Sequence, residues 1–165
     1  MSYWLITVGS TEFDTLFDVI DCERFYDIIY NQLKFDILYI QKGSSPHELN
    51  TIKELGKFRI MCFINSNFQL LANKNDKDLQ IFDYDINLDD FYQKSNLVIS
   101  HWGAGTVTEV LSFGKPLVCV INDTLMGNHQ TELAEKVVDF GCVSTTTTEL
   151  LDVLEKVSVW YLKNL

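Results

Sequence analysis

Residues 97–109 have the sequence LVISHWGAGTVTE, which joins a strand signal directly to a helix signal. The first four residues form a nearly continuous apolar run, typical of a parallel strand that helices cover on both faces. A glycine on each side of Ala104 then precedes a helix predicted over 106–113. A buried strand, a glycine loop and a helix in immediate succession favour an α/β fold.

The same alternation of strand and helix continues along the rest of the chain. Hydrophobic periodicity predicts strands over 3–8, 35–40 and 117–121 and helices over 13–33, 89–94, 130–140 and 148–165. The middle of the chain is less regular, with strands predicted over 58–64 and 79–84 and a polar surface loop over 73–78. The pattern predicts one domain over 1–165 with a mainly parallel sheet and helices on both faces.

Composition and charge argue against several function classes. The 165 residues contain 13 Lys+Arg and 23 Asp+Glu, a formal net charge of −10. Nucleic acids and anionic membrane surfaces both attract lysine and arginine, so neither is an expected partner.

No apolar run reaches the roughly 18–20 residues of a membrane span, and the first residues lack a secretory-signal pattern. The four cysteines form no Cys-x-x-Cys pair, which favours free buried thiols in a soluble intracellular protein.

The glycine loop is a candidate anion site. Gly103 and Gly105 allow a ligand to approach the backbone closely, and the following helix start offers free N–H groups and a positive dipole end. These features suit a diphosphate. The dinucleotide fingerprint requires a third small residue where this chain has Thr108, so that match is incomplete. The alternative is that both glycines only permit a tight strand-to-helix turn.

Glu109 is a candidate ribose-binding residue. It is placed in the first turn of the predicted helix, where its carboxylate has two interpretations. It holds the ribose hydroxyls of a nucleotide whose phosphates lie at the helix start, or it only complements the helix dipole. In dinucleotide-binding domains the ribose acid lies about 20 residues further on, so the spacing here favours a mononucleotide over NAD.

Two more polar loops are expected at the same edge of the sheet. Asn128, His129 and Gln130 follow the strand predicted over 117–121 and carry groups that can bind sugar hydroxyls or amides. The alternative is an ordinary turn in which Asn128 is the N-cap of the next helix. The loop of Gly9, Ser10 and Thr11 follows the first strand. Because open α/β sheets bind ligands outside the carboxyl ends of their strands, three such loops favour a binding site.

Several motifs together resemble one glycosyltransferase family. They are Leu97 through Gly105, Gly114-Lys115-Pro116-Leu117, Val120 through Gln130 with Glu132-Leu133-Ala134, and Thr7 through Thr11 with Phe13, Asp14 and Leu16. They resemble the soluble subunit of the UDP-N-acetylglucosamine transferase that adds the second sugar to dolichol-linked oligosaccharide, a family 28-like glycosyltransferase. A more distant likeness is to the bacterial transferase that adds N-acetylglucosamine to the lipid-linked peptidoglycan precursor. The resemblance is weak between residues 44 and 85.

This resemblance implies the Rossmann-like, donor-binding C-terminal half of a two-domain GT-B glycosyltransferase, made as a separate chain. A membrane-anchored partner would supply the acceptor site and recruit this cytoplasmic chain to the cytosolic face of the endoplasmic reticulum. The implied reaction is inverting transfer from UDP-N-acetylglucosamine to N-acetylglucosaminyl-diphosphodolichol, with no metal or other cofactor. No residue here is a convincing general base, so the partner is expected to provide it.

The resemblance also implies roles for the loop residues. The backbone of Gly103, Ala104, Gly105 and Thr106 would bind the diphosphate, with His101 in the same donor-binding set and Ser10, beside Gly9, assisting from the opposite loop. Glu109 would hold the ribose, His129 and Gln130 would bind the sugar, and Asn128 would support their loop. Trp102 stands where the family commonly has a small residue, and it is expected to alter the loop or to add a stacking surface.

Two other interpretations remain open. A two-chain polysaccharide glycosyltransferase would share the fold and the donor site but use another acceptor. A non-catalytic nucleotide-binding or scaffold subunit would use the glycine loops structurally. The C-terminal helix over 148–165 is a candidate docking surface through Val157, Val159, Trp160 and Leu162, and the alternative is packing on its own sheet.

Overall fold

One mainly parallel sheet organises the protein. The computed structural model describes residues 2–55, 59–64, 67–72, 78–83, 87–121 and 142–163, and only the backbone at 52–53, 55, 59–64, 67–72 and 158–163. The strands within these ranges are β1 (Tyr3–Thr7), β2 (Ile37–Gln41), β3 (Arg59–Ile64), β4 (Asn67–Ala72), β5 (Asp78–Phe82), β6 (Leu97–His101), β7 (Leu117–Ile121) and β8 (Cys142–Thr146). Their order across the sheet is β4-β3-β5-β2-β1-β6-β7-β8. β4 runs antiparallel to β3, and all other neighbouring strands are parallel.

The helices connect these strands. They are α1 (Asp14–Ile20), α2 (Glu23–Asp27) with a π-helical continuation (Ile28–Gln32), α3 (Asn50–Leu55), α4 (Asp89–Lys94), α5 (Ala104–Ser112) and α6 (Leu150–Lys163). The prediction of one continuous helix over 13–33 is wrong. The backbone of Cys22 is extended (φ −144°, ψ 159°), and its sulfur accepts a hydrogen bond from the N–H of Phe25, so a new helix begins there. The apolar spacing continues across the break because the apolar residues of both helices are buried in the same core cluster.

Two strands were not predicted, and both lie at the sheet edges. β4 forms an antiparallel pair with β3, and β8 forms a parallel pair with β7, its one neighbouring strand within the described residues. β8 has the sequence CVSTT, which has no apolar run because three of its five residues are serine or threonine. Its burial does not follow its polarity either, since Val143 is exposed and Thr145 is buried. Most of the polar loop predicted over 73–78 and the helix predicted over 130–140 lie outside the described residues.

Side chains that alternate along β1 divide the core between the two faces of the sheet. Trp4, Ile6 and Val8 belong to a cluster that includes residues of α1, α2 and α6. Leu5 belongs to a second cluster, which includes residues of α4 and α5. Successive strand residues point to opposite faces, so both faces are buried under helices. The predicted α/β architecture is therefore confirmed. No helix within the described residues is long and apolar enough to cross a membrane.

Three of the four cysteines have described side chains, and all three are free thiols. Cys119 and Cys142 lie far apart in sequence, but the neighbouring strands β7 and β8 bring their Sγ atoms to 3.2 Å. Both are buried, and Cys22 is half-buried. The side chain of Cys62 lies outside the described residues. The prediction of buried thiols thus holds fully at Cys119 and Cys142.

Helix α6 packs on the sheet through its first turns. Leu150 and Leu154 are fully buried in the cluster that contains Trp4, and Val157 packs partly buried against the same cluster. On the outer side, Arg24 of α2 forms ion pairs of 2.6 and 3.1 Å with the carboxylates of Asp152 and Glu155. The side chains of Val159, Trp160 and Leu162, proposed from sequence as a docking surface, lie outside the described residues.

The strand order determines where a ligand can bind. β1 has β2 on one side and β6 on the other, so the order of connection reverses between β1 and β6. Open α/β sheets bind ligands at this switch point, outside the carboxyl ends of the strands. Thr7, at the end of β1, is in register with Gln41 of β2 and Ser100 of β6. The loops that follow these three residues therefore form the candidate site.

Candidate functional site at the switch point of the sheet

The loops after β1 and β6 are in direct contact. A Cβ atom at Gly9 would lie 3.3 Å from Cε1 of His101 and 3.8 Å from Oγ1 of Thr106. The loop after β2 joins them because Ser44 donates from its N–H to the carbonyl of Thr11 at 3.2 Å. The structure thus brings together Gly9, His101 and Thr106, which the sequence assigned to one site.

Gln41 holds the ends of these strands together. Its side chain is 0% exposed and accepts a 2.6 Å hydrogen bond from Oγ1 of Thr7. Its amide nitrogen donates to the carbonyls of Gly9 at 2.5 Å and of Asp83 at 2.9 Å. One buried amide therefore connects the chain at the ends of β1, β2 and β5. Gln41 was not predicted as a site residue, and its one signal in the sequence is a glutamine that ends an apolar strand.

Replacing Gln41 with leucine is expected to destabilise the protein. The substitution leaves the carbonyls of Gly9 and Asp83 without their buried donor, and each unsatisfied buried group costs about 1–3 kcal/mol. We expect a loss of about 2–3 kcal/mol in the free energy of unfolding, measured by urea denaturation. Gln93→Leu, at an exposed position of α4, is the matched control. Equal stability of both variants would contradict this role of Gln41.

Local structure explains the glycines at positions 9 and 103. Gly9 has φ +62°, a left-handed conformation that side chains other than glycine rarely adopt. Gly103 lies against the imidazole of His101, and a Cβ atom there would overlap the ring. The tight-turn interpretation therefore accounts for Gly103.

Gly105 has no such explanation. Among the described residues, no heavy atom lies within 4 Å of the position that its Cβ atom would take. It is exposed in the first turn of α5, where glycine is less favourable than alanine by about 0.5–1 kcal/mol. Packing gives no reason for a glycine here, whereas close approach of a ligand to the backbone does.

The start of α5 presents free backbone donors at this point. Gly103 is the N-cap in an extended conformation, and it has no side chain with which to cap the helix. The first N–H to bond back is that of Val107, which donates to the carbonyl of Gly103 at 2.9 Å. The N–H groups of Ala104, Gly105 and Thr106 have no acceptor within the described part of the chain. Such a cluster at the positive end of a helix dipole suits a phosphate or diphosphate.

His101 ends β6 beside these donors with its imidazole half-buried. Burial lowers the pKa of His101 below 6.5, and a backbone hydrogen bond with Thr7 opposes part of this shift. Its buried Nδ1 atom has no hydrogen-bond partner among the described residues. The ring is therefore neutral at pH 7 and adds no positive charge to the site.

This lowered pKa predicts how the stability depends on pH. His101 takes up its proton at a higher pH in the unfolded chain than in the folded chain. The neutral imidazole of the folded state therefore contributes its full share of stability above pH 6.5. That contribution is lost as the pH falls from 6.5 through the pKa of the folded state. We expect His101→Gln to lose less stability than the wild type over this range in urea denaturation. An NMR titration that places the pKa of His101 at or above 6.5 would contradict this expectation.

Glu109 lies in the second turn of α5, not in the first turn as predicted. The helix begins at Ala104, two residues earlier than the apolar pattern indicated, and its first turn contains no acidic residue. The dipole effect declines within the first turn, so dipole compensation explains Glu109 poorly. The side chain is exposed. Burial raises the pKa of the nearby Tyr92 above its ordinary value, and the negative charge of the Glu109 carboxylate raises it further.

Trp102 is not a stacking surface. Its side chain is 4% exposed and belongs to the cluster that contains Tyr92, Val107 and Val110. The ring is buried in this cluster, so it is unavailable to a ligand. Its other predicted effect, an altered loop, remains a prediction.

The other predicted site residues differ in where they lie. Ser10 is exposed in the turn after β1, directly after Gly9. Asn128, His129 and Gln130 lie outside the described residues.

Within the described residues, no three His, Cys, Asp or Glu side chains form a group that could hold a metal ion. Transfer without a metal stays a prediction.

Comparison with known proteins gives the family. The model of the glycosyltransferase family 28 C-terminal domain matches residues 4–159, nearly the whole chain. The chain belongs to this glycosyltransferase family. Two solved structures share the fold of this family 28 domain. They are an NMR structure of ALG13 (24% identity, 93% of this chain, 83% of that chain, TM-score 0.63) and a crystal structure of MurG from Acinetobacter baumannii (20% identity, 97% and 41%, TM-score 0.66). They confirm the predicted Rossmann-like fold.

The curated relatives are longer proteins. This chain is 34% identical over 148 residues to the human UDP-N-acetylglucosamine transferase subunit ALG13. The alignment covers 88% of this chain and 11% of the human protein. It is 28% identical over 167 residues to the Candida albicans protein of the same name, with coverages of 88% and 57%. The chain therefore spans only part of the length of these relatives.

Proposed function

We propose that this chain is the donor-binding subunit of an inverting N-acetylglucosaminyltransferase. The donor is UDP-N-acetylglucosamine, and the acceptor is N-acetylglucosaminyl-diphosphodolichol. The observation that carries the proposal is the uncapped start of α5, whose three free N–H groups lie at the switch point beside the open space at Gly105. The family and the names of the relatives support the same donor.

The chemistry of the transfer matches this arrangement. The 4-hydroxyl of the acceptor sugar attacks the anomeric carbon of the donor, and the bond from that carbon to the diphosphate breaks. Negative charge accumulates on the departing UDP. The N–H groups of Ala104, Gly105 and Thr106 stabilise that charge more strongly in the transition state than in the ground state. Ser10 assists from the facing loop and Glu109 holds the ribose.

The proposal assigns the remaining parts of the reaction elsewhere. Asn128 supports the loop from which His129 and Gln130 bind the sugar. The general base that takes the proton of the acceptor hydroxyl comes from a membrane-anchored partner, which also binds the lipid. That partner recruits the chain to the cytosolic face of the endoplasmic reticulum, and the helix over 148–165 is its proposed docking element.

A transfer assay tests the proposal. Purified chain with UDP-N-acetylglucosamine and the lipid-linked acceptor is expected to be nearly inactive, whereas the chain co-expressed with its membrane-anchored partner transfers the sugar. A complex that contains the Glu109→Ala chain is the control for donor binding. Transfer by the chain alone would contradict the need for a partner. Donor binding without turnover in the complex would contradict a catalytic role, and transfer only to another acceptor would contradict the dolichol-linked substrate.

A further inference from the structure

The turn of residues 9–11 after β1, here called the β1 turn, is held by the chain at the end of β2. The carbonyl of Gly9 accepts a hydrogen bond from the side-chain amide of Gln41 at 2.5 Å. The carbonyl of Thr11 accepts from the backbone N–H of Ser44 at 3.2 Å. Two carbonyls of the β1 turn are therefore directed toward the end of β2.

Gly43 allows this close contact between the two segments. Its φ is +59°, and a Cβ atom there would overlap the carbonyl oxygen of Thr11 and lie 2.8 Å from that of Gly9. Both the left-handed backbone and the lack of space require a glycine at this position. The β1 turn thus rests directly on the backbone of Gly43.

The hydroxyl of Thr7 links Gln41 to the β1 turn. The side chain of Thr7 is fully buried, and its Oγ1 donates to Oε1 of Gln41 at 2.6 Å and accepts from the N–H of Gly9 at 3.2 Å. Because Oε1 accepts this bond, the nitrogen of the same amide is directed toward the carbonyl of Gly9. Thr7 therefore fixes both the orientation of the Gln41 amide and the first N–H of the β1 turn.

These contacts determine the direction of the backbone N–H of Ser10. The peptide bond between Gly9 and Ser10 is trans, so its C=O and N–H point in opposite directions. Since the carbonyl points toward Gln41, the N–H points away from it, and this N–H has no acceptor within the described residues. β6 lies on the other side of β1, and the Cβ position of Gly9 is 3.8 Å from Oγ1 of Thr106 in α5.

We propose that Thr7, Gln41 and Gly43 are positioning residues that direct the N–H of Ser10 toward the diphosphate of the donor. The inference rests on the function proposed above, in which the diphosphate lies at the start of α5 and Ser10 assists. The N–H of Ser10 is then a fourth backbone donor beside the three of α5. Donors that are fixed in advance stabilise the developing charge without reorganising during the reaction.

An NMR titration of the full chain with UDP and with uridine, which has no phosphate, tests this role. In the wild type we expect UDP to move the amide proton of Ser10 downfield and uridine to leave it in place. Thr7→Val retains the size of the side chain and removes its hydroxyl. It should abolish this shift, weaken UDP binding by about threefold to tenfold and leave uridine binding unchanged.

Two further variants separate positioning from a purely structural role. Thr7→Ser retains the hydroxyl and should bind UDP as the wild type does. Gly43→Ala displaces the β1 turn without removing a hydrogen-bonding group, and it should weaken UDP binding but not uridine binding.

Thr145→Val is the matched control. Thr145 is a buried threonine of β8, and its hydroxyl donates to the carbonyl of Thr146 rather than to the β1 turn. This variant should keep the affinity for UDP and the shift of the Ser10 amide, whatever stability it loses.

Three results would overturn the positioning role and leave the proposed function intact. They are wild-type UDP affinity in folded Thr7→Val or Gly43→Ala, equal weakening of UDP and uridine binding, and a Ser10 amide that bound UDP does not move. If the wild-type chain binds no UDP, alone or with its partner, the proposed donor site is contradicted and the inference fails with it.

Discussion

Replacing Glu109 with alanine is expected to weaken UDP binding by about 1–3 kcal/mol, roughly 5- to 150-fold. The side chain is exposed in the second turn of α5 and contributes nothing to the described core. Its removal therefore leaves the fold intact. The loss of UDP affinity then measures a charged hydrogen bond between Glu109 and the ligand. Calorimetric titration with UDP measures the affinity, and thermal unfolding shows that the variant is folded.

The control for this variant is Glu149→Ala, which removes an exposed glutamate in the turn before α6 and changes the net charge equally. It should bind UDP as the wild type does. If a folded Glu109→Ala variant also retains the wild-type affinity, Glu109 does not contact the nucleotide.

The second large effect is expected at Gly105. Replacing it with alanine should stabilise the folded chain by about 0.5–1 kcal/mol, because a helical alanine loses less backbone entropy than a glycine. The same methyl group would occupy the open space above the free N–H groups of α5, where the diphosphate must approach. We expect UDP affinity to fall on the order of tenfold or more, a change of about 1.4 kcal/mol or more.

Gly114→Ala gives the opposite pattern and is the matched control. Gly114 has φ +65°, so an alanine there is strained although no described atom lies within 4 Å of its Cβ position. That variant should lose stability and keep its affinity for UDP. A Gly105→Ala variant that binds UDP as tightly as the wild type would show that the diphosphate does not approach this turn.

Local sequence was sufficient to predict the elements that build the centre of the sheet. The strands at 97–101 and 117–121 are buried on both faces, so nearly every residue is apolar and the signal is strong. The break at Cys22 was not predictable because it depends on the cysteine sulfur capping the following helix. The edge strand β8 was missed because three of its five residues are serine or threonine, so it has no apolar run.

The site shows the same division between local and long-range information. The glycines at 9, 103 and 105 and the acid at 109 follow strands directly, so their position at one sheet edge was predictable. Gln41 was not, because its role depends on its register and its hydrogen bond with Thr7, which is distant in sequence. The burial of Trp102 was not predictable either, because it depends on a buried cluster that includes residues of α4 and α5.

Calorimetric titration of the purified chain with UDP-N-acetylglucosamine, with UDP-glucose and NAD as comparison ligands, tests the proposed donor site most directly. The account predicts binding that is selective for UDP-N-acetylglucosamine. Binding of NAD alone, or no binding of the nucleotide sugar by either the chain or the chain co-expressed with its partner, would contradict it.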